Sequence, residues 1–157
     1  MAISADGLRL ADLPSMVGRS LGPSSAVDVT QERIDSFARV TEDLQWIHTD
    51  PERAAGGPFG GTVAHGFLTL ALLSRFVGEL MRVIDAPAAV NYGLDRVRFP
   101  SPVASGAIMR AVLEVIDVRE QERGVLLTSR VTMTADGADR AACVAESLTL
   151  YPGGRLR

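Results

Sequence analysis

The chain has 157 residues, 46% apolar and 22% charged, with a net charge of −3 at pH 7. That length holds one domain with a real core, and that balance is typical of a soluble globular protein. With 16 Lys and Arg against 19 Asp and Glu and no basic run, nothing asks for a nucleic-acid partner.

The opening MAISADGLRLADLPSM lacks the long apolar core of a secretory leader. Residues 1–23, with Pro14, Gly18, Gly22 and Pro23 among scattered leucines, read as an irregular lead-in. A short strand over about 25–29 is followed by Thr30, a good N-cap. Ile34, Phe37, Ala38 and Thr41 then recur at helical spacing, predicting a helix that ends near Asp43. Pro51 starts a second, shorter helix, and the glycine-rich stretch 56–61 is loop. A long helix is predicted over 65–84. Its first half is apolar almost all round, so other elements surround it, while Arg75, Glu79 and Arg82 give its second half a wet side. Arg75 and Glu79 also break its apolar run, which is too short to span a bilayer.

Beyond Pro87 the pattern changes to strands: AAVNYGLDRVRF, IMRAVLEVIDV, GVLLTSRVTMT and ACVAESLTLY, separated by Pro100-Ser-Pro102, REQER and ADGADR. Thr128, Arg130, Thr132 and Thr134 alternate with Leu127, Val131 and Met133, as in a half-buried antiparallel sheet. Strands of about 11 residues run about 35 Å, long enough to curl around the long helix. The expected architecture is α+β: a single domain over 1–157, with a central helix wrapped by a curved antiparallel sheet of about five strands. The lone cysteine, Cys143, excludes an internal disulfide framework and suits a reducing cytoplasm.

Both histidines and the only tryptophan lie within residues 43–66. Asp43 and His48 stand five apart where a helix gives way to irregular chain. A turn there can fold both side chains onto one water, forming an acid–base pair. Ala64-His65-Gly66 opens the long helix, where free amides and the positive end of the dipole can hold a developing oxyanion. Gly66, without a side chain, lets a carbonyl approach closely. Acid, base and oxyanion donor together suit addition or removal of water at an activated carbonyl compound.

Asp43-x4-His48-x-Asp50-Pro51, then Phe59, then Val63-Ala-His-Gly66 resemble the MaoC-like (R)-specific enoyl-CoA hydratases. The wording QWIHTDPERAAGGPFGGTVAHGFLTLALL is similar to the nodulation-protein-N-type branch of that group. The similarity continues through YGLDRVRFPSPVASG and covers most of 25–151. The resemblance implies a hot-dog fold and a homodimer with CoA near the subunit interface. It implies reversible hydration of trans-2-enoyl-CoA to (R)-3-hydroxyacyl-CoA with no metal or redox cofactor, an acyl-carrier-protein thioester being the alternative substrate. Asp43 and His48 fall on the family's catalytic pair, the Gly66 amide on its oxyanion donor, and Ser74 on a serine near the site. Phe59 and His65 belong to the substrate-binding part of the same motif. Many members read Gly-Asp-x-Asn-Pro-x-His; here Gln45 stands for the asparagine, and Trp46, in place of proline, is expected to shape the acyl channel.

Plainer readings stand beside these. His48 alone could be a capping histidine, and Asp43 alone a helix-terminal acid, though its sign opposes the dipole there. His65 at a helix start is expected to hydrogen-bond backbone and fix the loop. Asp50 is most simply an N-cap. His48, Asp50 and His65 are metal-ligand types, but their spacing matches no compact zinc pattern. The GGPFGG stretch follows no strand and has no lysine, so it is a poor phosphate loop. Arg96 and Arg98 either meet CoA phosphates or face solvent. A hot-dog thioesterase typically places its carboxylate on or near the central helix, where only Glu79 is available, far from the helix start. A non-catalytic acyl-thioester-binding protein would keep the same fold.

Overall fold

A computed structural model describes residues 7–156. Its helices are α1 (Gln31–Thr41), α2 (Trp46–Thr49), α3 (Pro51–Ala55) and α4 (Gly66–Leu80). The strands are β1 (Ser20–Leu21), β2 (Val27–Val29), β3 (Val90–Arg98), β4 (Ala107–Gln121), β5 (Gly124–Ala135) and β6 (Cys143–Pro152). The strands form one antiparallel sheet in the order β1-β4-β5-β6-β3, with β2 also on β4.

The sheet has six strands where about five were expected, because its first edge is filled in two pieces. β1 pairs with Leu113 and Glu114, and β2 with residues 107–109 of the same strand. Between them the chain crosses at Gly22, where a side chain would meet the Ala111 carbonyl at 2.8 Å and φ is +122°. Only glycine fits that crossing.

The alternation read in β5 is present: Val125, Leu127, Val131 and Met133 are buried. With Met109, Leu113 and Val115 of β4 and Ala145 and Tyr151 of β6, they form the floor of the core. On it lies α4, which buries Leu68, Leu72, Phe76 and Leu80 at successive i, i+4 positions. The helix rests on β4, β5 and β6. Outermost, β3 leaves Val90, Tyr92 and Leu94 exposed.

Two stretches depart from the expectation. The lead-in holds a 3-10 helix, Leu10–Met16, whose Leu10, Leu13 and Met16 are buried. Their spacing of three is the period of that helix, so one apolar stripe faces the core. The rest of the lead-in expectation, residues 1–6, lies outside the described residues. α4 ends at Leu80 rather than near Ile84. Residues 82–84 pair instead with Leu8, whose amide donates to the Arg82 carbonyl and whose carbonyl accepts from the Ile84 amide, both at 2.9 Å. No helix among the described residues is long and apolar enough to cross a membrane.

Candidate active site

α1 starts at Thr30, whose hydroxyl accepts the Arg33 amide, and ends at Glu42 in the left-handed conformation, φ 61°. That residue ends the helix and turns the chain into Asp43, which lies beside His65. One turn later α2 carries His48. The chain next passes through α3, capped by the Asp50 carboxylate on the Arg53 amide at 3.0 Å. Residues 62–64 are then pinned. The Val63 amide donates to Ile47, the Ala64 amide to Val103, and the Thr62 carbonyl accepts from the Ser105 amide. α4 begins two residues later.

His48 Nδ1 lies 2.6 Å from the Val63 carbonyl, which can only accept, so Nδ1 carries the proton and Nε2 keeps its lone pair. His65 Nε2 likewise donates to the Asp43 backbone carbonyl at 3.0 Å and stands 4.0 Å from the Asp43 carboxylate. The two imidazoles stack on each other, and Phe37 closes the far side of His65 with ring centroids 5.0 Å apart. His65 is buried and its Nδ1 finds no hydrogen-bond partner among the described residues. Burial, the largest influence, pushes the His48 pKa below its ordinary value, and the neighbouring His65 adds to that; the Val63 hydrogen bond and the Asp43 charge oppose it.

The cleft in front of this cluster has a volume of about 320 Å³ and is lined by His48, Phe59, Gly66, Thr69 and Phe99 among others. No side chain caps α4, and the Gly66 amide, first in the helix, has no intrahelical acceptor. A side chain on Gly66 would stand 3.4 Å from the Phe99 ring, so the cleft passes through the space that its missing Cβ leaves.

Of the residues singled out from sequence, Asp43, His48 and His65 are brought together, with donor atoms within 4.8 Å of one another. His48, Phe59 and Gly66 line the cleft, and His65 lies behind it. Trp46 lies outside that lining: it packs on Gly57 and under the Arg53 guanidinium, 4.4 Å from the ring centroid. Ser74 is exposed, donates to the Ala71 carbonyl, and faces a second groove with Phe67, Leu70 and Leu94. Asp50, once grouped with the histidines as a ligand type, is the cap of α3. The Arg98 guanidinium donates to its neighbour's carbonyl at Val97, and Arg96 is exposed at a bulge of β3. Phe99 and Thr69 were missed, since their place in the site depends on long-range folding that no local pattern records.

A helix lodged in a curved antiparallel sheet, with an acid–histidine cluster at its start, defines a hot-dog protein. Residues 12–136 match the family model described as MaoC like domain, and the chain belongs to that family of hydratases and dehydratases. It is 47% identical over 143 residues to the 3-hydroxyacyl-thioester dehydratase Z of Mycobacterium tuberculosis, covering 90% of this chain and 95% of that protein. It is 44% identical over 147 residues to nodulation protein N of Rhizobium leguminosarum bv. viciae, covering 91% of each. The solved R-hydratase PhaJ1 from Pseudomonas aeruginosa superposes with a TM-score of 0.67 at 25% identity, over 87% of this chain and 81% of that one.

Proposed function

We propose that this protein is a hydro-lyase that reversibly adds water to a trans-2-enoyl thioester, giving the (R)-3-hydroxyacyl thioester. The observation that carries this reading is the free Nε2 of His48, beside Asp43, sharing one cleft with the helix start at Gly66. In the hydration direction the pair holds a water and removes its proton as the oxygen bonds to the β-carbon. The electrons of the double bond shift towards the thioester oxygen, which the Gly66 amide stabilises. Return of that electron pair takes up a proton at the α-carbon within the same site. Acid and base are assigned to the pair, because closely coupled groups titrate together. The chemistry so written calls on protein groups alone.

Similarity to a 3-hydroxyacyl-thioester dehydratase and an R-hydratase supports both the reaction and its handedness. A thioesterase reading lacks its carboxylate. Glu79, the only acid of α4, accepts from the Ser25 amide and hydroxyl and pairs with Arg75, away from the cleft lining. The thioester carrier is CoA in this proposal, with an acyl-carrier protein as the alternative. The free edge of β3, with Val90, Tyr92 and Leu94 exposed and Phe67 of α4 71% exposed beside it, supports pairing with a second copy as a homodimer. The single, buried Cys143 fits residence in the cytoplasm.

The test is loss of enoyl absorbance with crotonyl-CoA, product chirality, and Asp43→Asn assayed beside the wild type. Loss giving the (R)-alcohol, abolished in the variant, is expected. Release of free CoA without hydration overturns the reading in favour of a thioesterase.

A further inference from the structure

One amide bridges His48, Asp35 and Thr62. Gln31, the first residue of α1, has a half-buried side chain. Its amide nitrogen donates to the His48 carbonyl at 2.7 Å and to the Asp35 carboxylate at 2.8 Å. Its amide oxygen accepts the Thr62 hydroxyl at 2.5 Å. These partners leave no choice of orientation: two acceptors claim the NH2 group and a hydroxyl claims the oxygen. Both amide hydrogens are used.

The residues so joined are the two halves of the histidine's setting. One is α2, a helix of four residues that carries His48. A single turn has no stability of its own, because nucleation costs more than one hydrogen bond returns, so tertiary bonds must hold it. The other half is the pinned stretch after Thr62, where Val63 supplies the carbonyl that fixes the proton on His48 Nδ1. Beside the direct bond from the Val63 amide to Ile47, Gln31 thus makes a second tie between the histidine's backbone and the stretch whose carbonyl selects its tautomer.

We infer that Gln31 is a positioning residue for the dehydratase reaction, a clamp that joins the His48 carbonyl to Thr62 and so aims the His48 Nε2 lone pair into the cleft. The inference rests on the hydratase reading above and adds to it a residue outside the cleft lining. Gln31 touches no substrate; it acts through His48. A displaced catalytic group is costly, about a hundredfold in rate for about 1 Å.

The test compares wild type with Gln31→Met, which keeps the length and removes all three bonds, and with Thr62→Val, which removes only one. Crotonyl-CoA kinetics, thermal melting and the 15N shifts of the His48 ring are read together. The expected result is a kcat about tenfold lower or more in Gln31→Met with KM within about twofold. A smaller loss in Thr62→Val is expected, and ring shifts moving from the single Nδ1–H tautomer towards a mixture. Unchanged kcat and unchanged ring shifts in both folded variants overturn the clamp, even where melting falls, since a merely structural glutamine would move stability alone. If Gln31→Met does not fold, Thr62→Val decides by the same readings. An inactive wild type overturns the hydratase reading instead, and the ring shifts then still decide whether Gln31 selects the tautomer.

Discussion

The rings of His48 and His65 stack with centroids 3.7 Å apart and planes inclined by 25°. Each donates from one nitrogen to a backbone carbonyl, His48 to Val63 and His65 to Asp43. The main chain thus places one proton on each ring. A charge on one ring would repel a charge on the other at this separation.

The pH dependence follows from that arrangement. The folded-state pKa of His48 is lowered from 6.5, first by burial and then by His65. As pH falls below 6.5 the unfolded chain takes up a proton there before the native one does. Stability from this group is therefore full above 6.5 and is lost as pH falls towards the folded value. The acid limb of kcat/KM should lie below 6.5 for the same reason. His65→Gln removes the repelling neighbour while its amide can still donate to Asp43, so the limb should move to higher pH. A pH–rate profile of both proteins checks this, and an unmoved limb would show that burial alone lowers the His48 pKa.

Asp43→Asn and His48→Ala should each lower kcat by about 10² to 10⁴. The Asp43 side chain is 52% exposed, so its replacement should barely change the melting temperature. Steady-state kinetics alongside thermal melting separates loss of chemistry from loss of fold. Near-full activity in either variant removes that residue from the mechanism.

Gly66→Ala tests the helix start as the place where the thioester carbonyl enters. The added methyl would stand 3.4 Å from the Phe99 ring, which is 43% exposed and free to swing by a few tenths of an ångström. At the first position of the helix the interior preference for alanine over glycine adds little. The variant should melt near the wild-type temperature while KM rises severalfold. Phe99→Ala in the same chain should recover part of that KM. A variant with unchanged KM would separate Gly66 from substrate entry.

Ser74 and the β3 edge can be tested together. Ser74 bonds only to its own helix among the described residues, at Ala71, so Ser74→Ala should keep kcat within about twofold in the acid–base mechanism proposed. Leu94→Arg places a charge on the apolar face beside Phe67 and should shift sedimentation from twice the 16.7 kDa of one chain to a single chain. A tenfold loss of kcat in Ser74→Ala would place that serine in a site completed across the two copies.

Features written locally were legible in the sequence, and features made by distant partners were not. Thr30 and the Ile34–Ala38 stripe announce α1, and the alternation of β5 announces its buried face, because caps and periodicity are short-range. That Asp43 and His48 gather near the start of α4 at Gly66 was legible because one 24-residue stretch carries all three. The end of α4 was not, since Leu8 competes for its last residues from far along the chain. Nor were Gln31 and Phe99, which reach the histidine and the helix start only after folding. Trp46 looked like a wall of the acyl channel because of where it stands in the motif. One turn of α2 is enough to aim it at Arg53 instead.

The pinned residues 62–64 divide the molecule's labour. Before them lies the glycine loop 56–61, where Gly60 has φ +71° and neither Gly60 nor Gly61 has a neighbour within 4 Å of where a side chain would begin. That loop presents Phe59, 48% exposed, at the mouth of the cleft. Behind the pins, His48 and His65 are hydrogen-bonded to the Val63 and Asp43 carbonyls, and the loop reaches α2 through Gly57, which packs on Trp46. In the reaction proposed above, substitutions at Phe59, Gly60 and Gly61, which leave the Gly57–Trp46 contact in place, should alter which acyl groups are admitted more than they alter kcat.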